Sequence, residues 1–167
     1  MTVMPIRTLG DPVLREPTKP VETFDDDLRA VSEDMFETMY AAPGVGLAAN
    51  QVGIGRAFFV YDDREGHTGF VANPELIDLD GEDTIEEGCL SIPGPYHDTA
   101  RAERVRLRGQ DLHGDRVDIA AEGLLARIFQ HETDHLRGML YIDRLDDEGR
   151  RDVMRQLREL EVQRSEG

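Results

Sequence analysis

A helical stripe in the last third of the chain is the feature that most restricts its fold. Leu124, Ile128, His131 and His135 follow the spacing i, i+4, i+7 and i+11, which places them on one face of an α-helix. A face that begins with apolar side chains is expected to be buried, and buried imidazoles need partners for their ring nitrogens. The sequence therefore predicts an interior helix that ends at Gly138. Its two histidines are expected to bind a partner through their ring nitrogens.

A metal ion is the partner that this histidine pair favours. His131 and His135 are one helical turn apart, about 6 Å along the axis, so both rings can reach one ion. Glu132 follows the first histidine and is placed to exchange a proton with a water on that ion, as in the HExxH pattern of metal-dependent hydrolases. An exposed charged helix is the alternative, and the apolar half of the stripe argues against it.

A catalytic metal site needs a third protein ligand and one open position. Glu159 lies 24 residues after His135 on a predicted final helix, which fits a zincin-type endopeptidase. Cys89 lies upstream and is the only cysteine, so it forms no internal disulfide. No histidine follows His135, which excludes the metzincin arrangement. The pattern alone leaves both Glu159 and Cys89 as candidates.

The whole chain, residues 1–167, is predicted to form a single α+β domain. The segment FDDDLRAVSEDMFETMYAA has helical periodicity with acids at its N-terminus. Four later segments predict strands: RAFFVYD, GFVANPELIDLD, RVRLRGQDL and DRVDIAAE. Helical periodicity returns in residues 146–167, a predicted C-terminal helical tail. We therefore expect short antiparallel sheets around the central HExxH-bearing helix, with an N-terminal and a C-terminal helix.

Composition limits the partners of this domain. The formal net charge is −16, from 35 acidic and 19 basic residues, which disfavours binding to free nucleic acid because phosphate contacts dominate such affinity. No apolar run approaches the roughly 20 residues of a membrane span, and the N-terminus lacks the apolar segment of a signal peptide. The sequence therefore predicts a cytoplasmic protein without membrane contact.

Three motifs in order make the chain resemble the peptide deformylases. The first, GxGxAAxQ, is present as GVGLAANQ at residues 44–51. The second, EGCLS, is intact at residues 87–91, and the third, QHExDH, is intact at residues 130–135. Each motif is short, but the three together, in this order and at these spacings, are specific. The resemblance extends from the DPVLR segment near the N-terminus to about Leu145.

The resemblance implies one divalent metal ion held by Cys89, His131 and His135, with water in the fourth position. The ion is commonly Fe²⁺ in this family, although Zn²⁺, Ni²⁺ and Co²⁺ suit the same ligands. The implied reaction is hydrolysis of the N-formyl group from the formyl-methionine that begins new polypeptides, with release of formate. Water activated by the metal would attack the formyl carbon, while Glu132 acts as general base and then as general acid.

The resemblance also assigns roles around the metal. The side-chain amide of Gln51 and the backbone N–H of Leu90 are expected to stabilise the oxyanion. Glu87 is expected to pair with Arg101, either behind the ligand loop or at the surface. Arg127 replaces an aliphatic residue of many relatives; its stem is expected to line the methionine slot while its charge reaches water. Leu124 and Ile128 are expected at this slot because they share the helical stripe of His131. The expected substrate-binding residues are Gly44, Val45, Gly46, Ile85, Glu87, Leu124, Arg127 and Ile128.

The expected partners follow from the same resemblance. N-formyl-methionyl nascent peptides are the substrate, and the arginines of the C-terminal helix suggest a contact with the ribosome. Two other functions stay open: a zincin-type endopeptidase that uses Glu159, and a non-catalytic, ribosome-associated module. The presence of Gln51, Glu132 and all three ligands argues against the second of these.

Overall fold

Helices and strands of the chain match the predicted order of helix, strands and helix. The computed structural model describes residues 2–166, so Met1 and Gly167 of the predicted domain lie outside the described residues. Within that range the α-helices are α1 Asp26–Ala41, α2 Gly123–Leu136 and α3 Asp147–Glu166. The strands are β1 Gly46–Ala48, β2 Phe58–Asp62, β3 Thr68–Asp80, β4 Asp83–Cys89, β5 Ile92–Arg101, β6 Arg104–Gln110 and β7 Arg116–Glu122. None of the described helices has an apolar stretch long enough to cross a membrane.

Two antiparallel sheets confirm the predicted α+β class. The larger sheet has the strand order β1-β2-β3-β6-β7, and the smaller one is the hairpin of β4 and β5. α2 packs against all five strands of the larger sheet. Side chains from both sides meet in one core cluster, which includes Phe59, Val71, Leu107, Ala126 and Phe129. The predicted central helix is therefore enclosed by the sheet.

The N-terminal helix forms a second core cluster. Asp25 caps α1 by accepting the backbone N–H of Leu28 at 3.0 Å, and Met35 and Met39 are completely buried. These methionines share a cluster with Val60 of β2, whereas the neighbouring Phe59 belongs to the cluster of α2. Because successive strand residues point to opposite faces, the larger sheet lies between α1 and α2.

α2 is buried along nearly its whole length. In residues 125–136 every residue is buried except His131, which is half-buried, so the helix is open to solvent at this histidine. The predicted interior stripe is correct for Ile128 and His135. It is wrong for Leu124, whose side chain is 40% exposed because it lies in the first turn, before the continuous burial begins.

The turn after α2 requires its glycine. Gly138 has φ of +79°, and a Cβ there would lie 2.5 Å from the carbonyl oxygen of Arg15. Close by, the backbone N–H of Thr18 donates to the carbonyl of Leu136 at 2.9 Å. Gly138 therefore ends the helix as predicted, and the N-terminal arm packs against that end.

The hairpin of β4 and β5 is absent from the sequence-based expectations. The segment IPGPY in β5 contains two prolines and a glycine, which are typical of turns and hide the alternation of a strand. Glu87 pairs with His97, and the next pair is Cys89 with Ile92, so the ladder shifts register between them. The irregular end of this hairpin carries the cysteine.

Candidate active site

Three donor atoms converge where the hairpin meets α2. Cys89 Sγ lies 3.3 Å from His135 Nε2, and that nitrogen lies 3.1 Å from His131 Nε2. All three donor atoms are within 4.8 Å of one another, and within residues 2–166 this is the one such group of three donors that could hold a metal ion. Glu159 is exposed on α3 and does not belong to this group.

The donor set fits a divalent metal ion. Two nitrogen ligands at about 2.0–2.1 Å from a tetrahedral ion are separated by roughly 3.3 Å, close to the spacing of the two histidines. A thiolate with two imidazoles suits Fe²⁺, Zn²⁺, Ni²⁺ or Co²⁺, and three protein ligands leave one position open. Burial would lower the pKa of His131, but the charge of Glu132 and hydrogen bonds with Cys89 and Glu87 raise it well above its ordinary value. The surroundings therefore favour a positive charge on His131, whereas burial and the charge of His131 hold the pKa of His135 well below its ordinary value.

Glu132 lies beside this cluster with its carboxylate in the interior. It is 4% exposed, and a Cβ added at Gly46 of β1 would lie 2.6 Å from its Oε2. Its Oε1 is buried and has no hydrogen-bond partner among the described residues. Burial raises the pKa of Glu132 to about 7, against the lowering effect of a charge on His131. A carboxyl group with this pKa can take up and release a proton near neutral pH.

The side-chain amide of Gln51 is held in one orientation next to the cysteine. Gln51 lies in a short 3-10 helix, Ala49–Val52, and its Oε1 accepts the backbone N–H of Ala48 at 2.9 Å. Its Nε2 donates to Ser91 Oγ at 3.0 Å and lies 3.9 Å from Cys89 Sγ. One of the two expected oxyanion donors is therefore placed at the ligand cluster.

Leu90 directly follows Cys89 and contacts the first motif. A Cβ at Gly44 would lie 2.8 Å from Leu90 Cδ1, so the loop before β1 touches the hairpin here. The side chain of Leu90 packs against the apolar cluster of α1. Both expected oxyanion donors, Gln51 and Leu90, thus adjoin the cysteine.

Glu87 is the centre of a buried ion-pair network behind the ligands. Its Oε1 accepts the Nδ1–H of His131 at 2.5 Å, and Arg101 donates to its two oxygens at 2.7 and 3.1 Å. The predicted pair of Glu87 and Arg101 is confirmed and is buried. Burial would raise the pKa of Glu87, but the hydrogen bonds from His131 and Arg101 hold it well below its usual range. These partners occupy its carboxylate, so the structure places Glu87, expected among the substrate-binding residues, in a buried network against His131.

The charge of Arg127 does not reach water, contrary to expectation. Its guanidinium is buried and donates to Glu87 Oε2 at 2.7 Å, to the Thr99 carbonyl at 2.9 Å and to the Asp83 carbonyl at 2.8 Å. A buried carboxylate and two interior carbonyls need donors, and this requirement outweighs solvation of the guanidinium. Arg127 therefore joins α2 to both strands of the hairpin.

Asp134 belongs to the same network and has no role in the sequence-based expectations. Its carboxylate accepts from Arg101 at 2.7 Å and from Arg144 at 2.7 and 3.0 Å. Arg101 thereby links Asp134 on α2 to Glu87 on β4. A signal for this residue was present, because Asp is a fixed letter of the QHExDH motif.

Apolar residues expected at the methionine slot differ in exposure. Val45, Ile85 and Leu124 are exposed, as a binding surface requires. Ile128 is 3% exposed and lies in the core cluster with Phe129, so the structure places it among core residues.

Known proteins resemble this chain in both sequence and fold. The family model described as Polypeptide deformylase matches residues 3–151. The peptide deformylase of Acidothermus cellulolyticus is 49% identical over 161 residues, which cover 96% of this chain and 89% of that relative. The crystal structure of a peptide deformylase from Legionella pneumophila has a TM-score of 0.92 at 40% identity and covers 99% of both chains. The enzyme from Thermus thermophilus has a TM-score of 0.90 at 43% identity and covers 96% of both. With the same three motifs meeting at one cluster of donors, this chain belongs to the polypeptide deformylase family, the metallo-hydrolases that remove the N-formyl group from newly made polypeptides.

Proposed function

We propose that this chain deformylates the formyl-methionine of new polypeptides with Glu132 as general base and general acid. The observation that supports this role most directly is the position of its buried carboxylate beside Cys89, His131 and His135. Oε1 of Glu132 has no hydrogen-bond partner among the described residues, so this oxygen has no structural bond to lose when it exchanges a proton.

Cys89, His131 and His135 are the ligands that we assign to the metal ion. When bound, the ion would polarise the formyl carbonyl and lower the pKa of a water molecule toward neutrality. Glu87 accepts the Nδ1–H of His131 and so leaves the Nε2 lone pair of that ring for ligation. Cys89 serves as a ligand only, since hydrolysis by water needs no covalent intermediate on the protein.

Glu132 carries the proton between the two halves of the reaction. It accepts a proton from the attacking water and donates it to the amine that leaves, and its pKa of about 7 suits both steps. The Gln51 amide and the Leu90 N–H are the donors that we assign to the formyl oxygen as it gains charge. One such donor is typically worth about 3–4 kcal/mol of barrier.

The methionine side chain is assigned to an apolar slot beside the ligands. Val45, Ile85 and Leu124 are exposed. The family resemblance gives the first two to this slot, and Leu124 is assigned to it because it lies on the same helical stripe as His131. β1 lies at the edge of the larger sheet, where an extended peptide can add as a further strand. The absence of a side chain at Gly44 and Gly46 lets the substrate backbone approach closely.

Formate release from a formyl-Met-Ala-Ser peptide tests the role of Glu132. Glu132→Gln should keep its metal and lose roughly 10²- to 10⁴-fold in kcat, because the proton carrier is gone. Glu159→Gln is the matched control: its exposed side chain on α3 should leave formate release and metal content unchanged. Loss of metal in Glu159→Gln would favour the endopeptidase alternative, and full activity of metal-loaded Glu132→Gln would refute the assigned base.

Fe²⁺ is the ion that we assign in the cell, in line with the family resemblance. A thiolate beside ferrous iron is prone to oxidation, because thiolate character and solvent access set susceptibility. Iron-loaded protein should therefore lose activity in air much faster than nickel-loaded protein, with Cys89 oxidised in the inactive fraction. Equal loss of activity for both metals would argue against this assignment.

We place the reaction in the cytoplasm, with α3 in contact with the ribosome that carries the nascent chain. α3 exposes Arg151, Arg155, Arg158 and Arg164. Arg151→Glu combined with Arg158→Glu should abolish co-sedimentation with ribosomes and leave formate release from a short peptide intact. An unchanged protein that never co-sediments would remove the contact from the proposal.

A further inference from the structure

The part of α3 beyond residue 151 lies outside the matched family segment, yet it packs against the hairpin that carries the cysteine. Four α3 residues that contact β5 are spaced i, i+3, i+7 and i+11, so they lie on one helical face. These residues are Gly149, Asp152, Gln156 and Leu160.

The ends of this face fit closely onto the strand. A Cβ at Gly149 would lie 3.2 Å from His97 Cε1, and Asp152 Oδ2 lies 3.7 Å from His97 Nε2. At the other end a Cβ at Gly94 would press against Cδ1 of Leu160. The helix therefore follows the strand over the length of its irregular segment.

Gln156 supplies the polar contact at the middle of this face. Its Nε2 donates to the carbonyl of Tyr96 at 3.1 Å, and its Oε1 accepts the backbone N–H of Tyr96 at 3.3 Å. The ladder of β4 and β5 shifts register in this region, between Glu87 and Cys89. The amide of Gln156 thus bonds both backbone groups of Tyr96 where regular strand pairing is interrupted.

Tyr96, whose backbone is bonded by Gln156, contacts the residue that precedes the proposed metal ligand Cys89. A Cβ at Gly88 would lie 2.5 Å from Tyr96 Cε1, so the tyrosine ring rests on the residue before Cys89. From the same helix, Val153 and Leu157 share an apolar cluster with Cys89. Movement of α3 would therefore move both the backbone before the cysteine and the apolar surroundings of its side chain.

We propose that Gln156 is a positioning residue for the metal site: its amide holds Tyr96 on Gly88 and thereby fixes the place of Cys89. The coupling rests on the proposed role of Cys89 as a metal ligand. It gives the part of α3 beyond residue 151 a role in deformylation, in addition to any contact with the ribosome.

Cobalt(II)-loaded protein tests this coupling without substrate. Gln156→Met keeps the length of the side chain and removes both hydrogen bonds to Tyr96, together with the one to Asp152. Gln163→Ala on the exposed part of the same helix is the control. In Gln156→Met the thiolate-to-cobalt absorption band should shift or weaken, and loss of cobalt to EDTA should be about tenfold faster. With the native metal, kcat should fall while KM stays the same; Gln163→Ala should match the unchanged protein in every measurement.

A second variant keeps the test decisive if Gln156→Met folds poorly. Tyr96 is exposed, so Tyr96→Ala should fold and should reproduce the faster cobalt loss, and the double variant should add nothing further. Folded variants with an unchanged band and an unchanged rate of cobalt loss would overturn the coupling alone. An unchanged protein that lacks a thiolate-to-cobalt band would overturn both the ligand role of Cys89 and the coupling.

Discussion

α2 and the β4–β5 hairpin together supply the proposed metal ligands, but they are held in place in different ways. α2 is enclosed by five strands, and helix geometry alone sets the spacing of His131 and His135. The hairpin forms its own two-stranded sheet, an arrangement that is marginally stable by itself. Side chains from the helices attach it, among them Arg127, Asp134 and Gln156.

Because the two regions are held differently, substitutions in them should differ in how much they affect the stability of the fold and the geometry of the metal site. Changes on α2 should weaken the fold as well as the site, because the helix is part of the main core. Changes on the hairpin should alter the position of its ligand with a smaller effect on the fold. Glu87 is the exception, because its buried charge also pairs with Arg127 and His131 of α2. Paired substitutions, one in each region, test this comparison.

Removal of one ligand from each region should have the largest effect. His135→Ala and Cys89→Ala should both lose the metal and all measurable formate release. In metal-free protein, His135→Ala should lower the free energy of unfolding by about 2–4 kcal/mol, because a completely buried ring leaves a cavity, and Cys89→Ala by only about 1 kcal/mol. Urea unfolding and metal analysis check this, and equal losses of stability would break the comparison.

Substitution of the two buried acids of the ion-pair network should have the next largest effect. Glu87→Gln removes the charge that faces Arg101, Arg127 and His131, so it should cost about 3–5 kcal/mol of unfolding free energy. Asp134→Asn should cost about 1–3 kcal/mol, because Arg101 keeps its bonds to Glu87 and the freed charge of Arg144 is partly exposed to water. Urea titration of both metal-free variants gives the order, and the reverse order would show that the network is centred on α2.

Alanine substitutions at Gly44 and Gly46 of the first motif should distinguish the hairpin from α2 by their effect on kcat. Gly46→Ala pushes against the buried carboxylate of Glu132 on α2, and a displacement of about 1 Å should lower kcat roughly 100-fold. Gly44→Ala meets the far end of the Leu90 side chain on the hairpin, which can rotate away, so kcat should change less than about threefold, and any hindrance of the substrate backbone should appear in KM. Steady-state formate release measures both, and a larger effect at Gly44 would contradict the comparison.

Substitutions in the walls of the methionine slot should show the smallest difference between α2 and the hairpin. Leu124→Ala on α2 and Ile85→Ala on the hairpin each remove exposed apolar surface, and each should lower kcat/KM for formyl-methionyl peptide roughly tenfold. A formyl-alanyl peptide should be much less affected. Leu79→Ala is the control, since Leu79 is equally apolar and exposed but lies on β3. A selective loss in only one variant would assign the slot to one region.

Much of the fold was predictable because its patterns are local. The helical period from Leu124 to His135 and the β-type segments of the larger sheet come from interactions of neighbouring residues. The hairpin was missed because IPGPY has the composition of a turn, and its strand conformation depends on β4 and α3. Arg127 was misjudged for a related reason, since nothing near it in the chain shows that Glu87, 40 positions away, needs its charge.

The sequence by itself determined the chemistry of the site. Cys, His, His and Glu are specified as residue types in motifs, and the helical repeat alone brings His131, Glu132 and His135 together. Only the tertiary structure decided where Cys89 lies, which charges Glu87 neutralises and which part of α3 supports the hairpin. The contact of His131 with Glu87 spans 44 residues and that of Tyr96 with Gln156 spans 60. Packing over such distances depends on the arrangement of the whole core, and no local period records it.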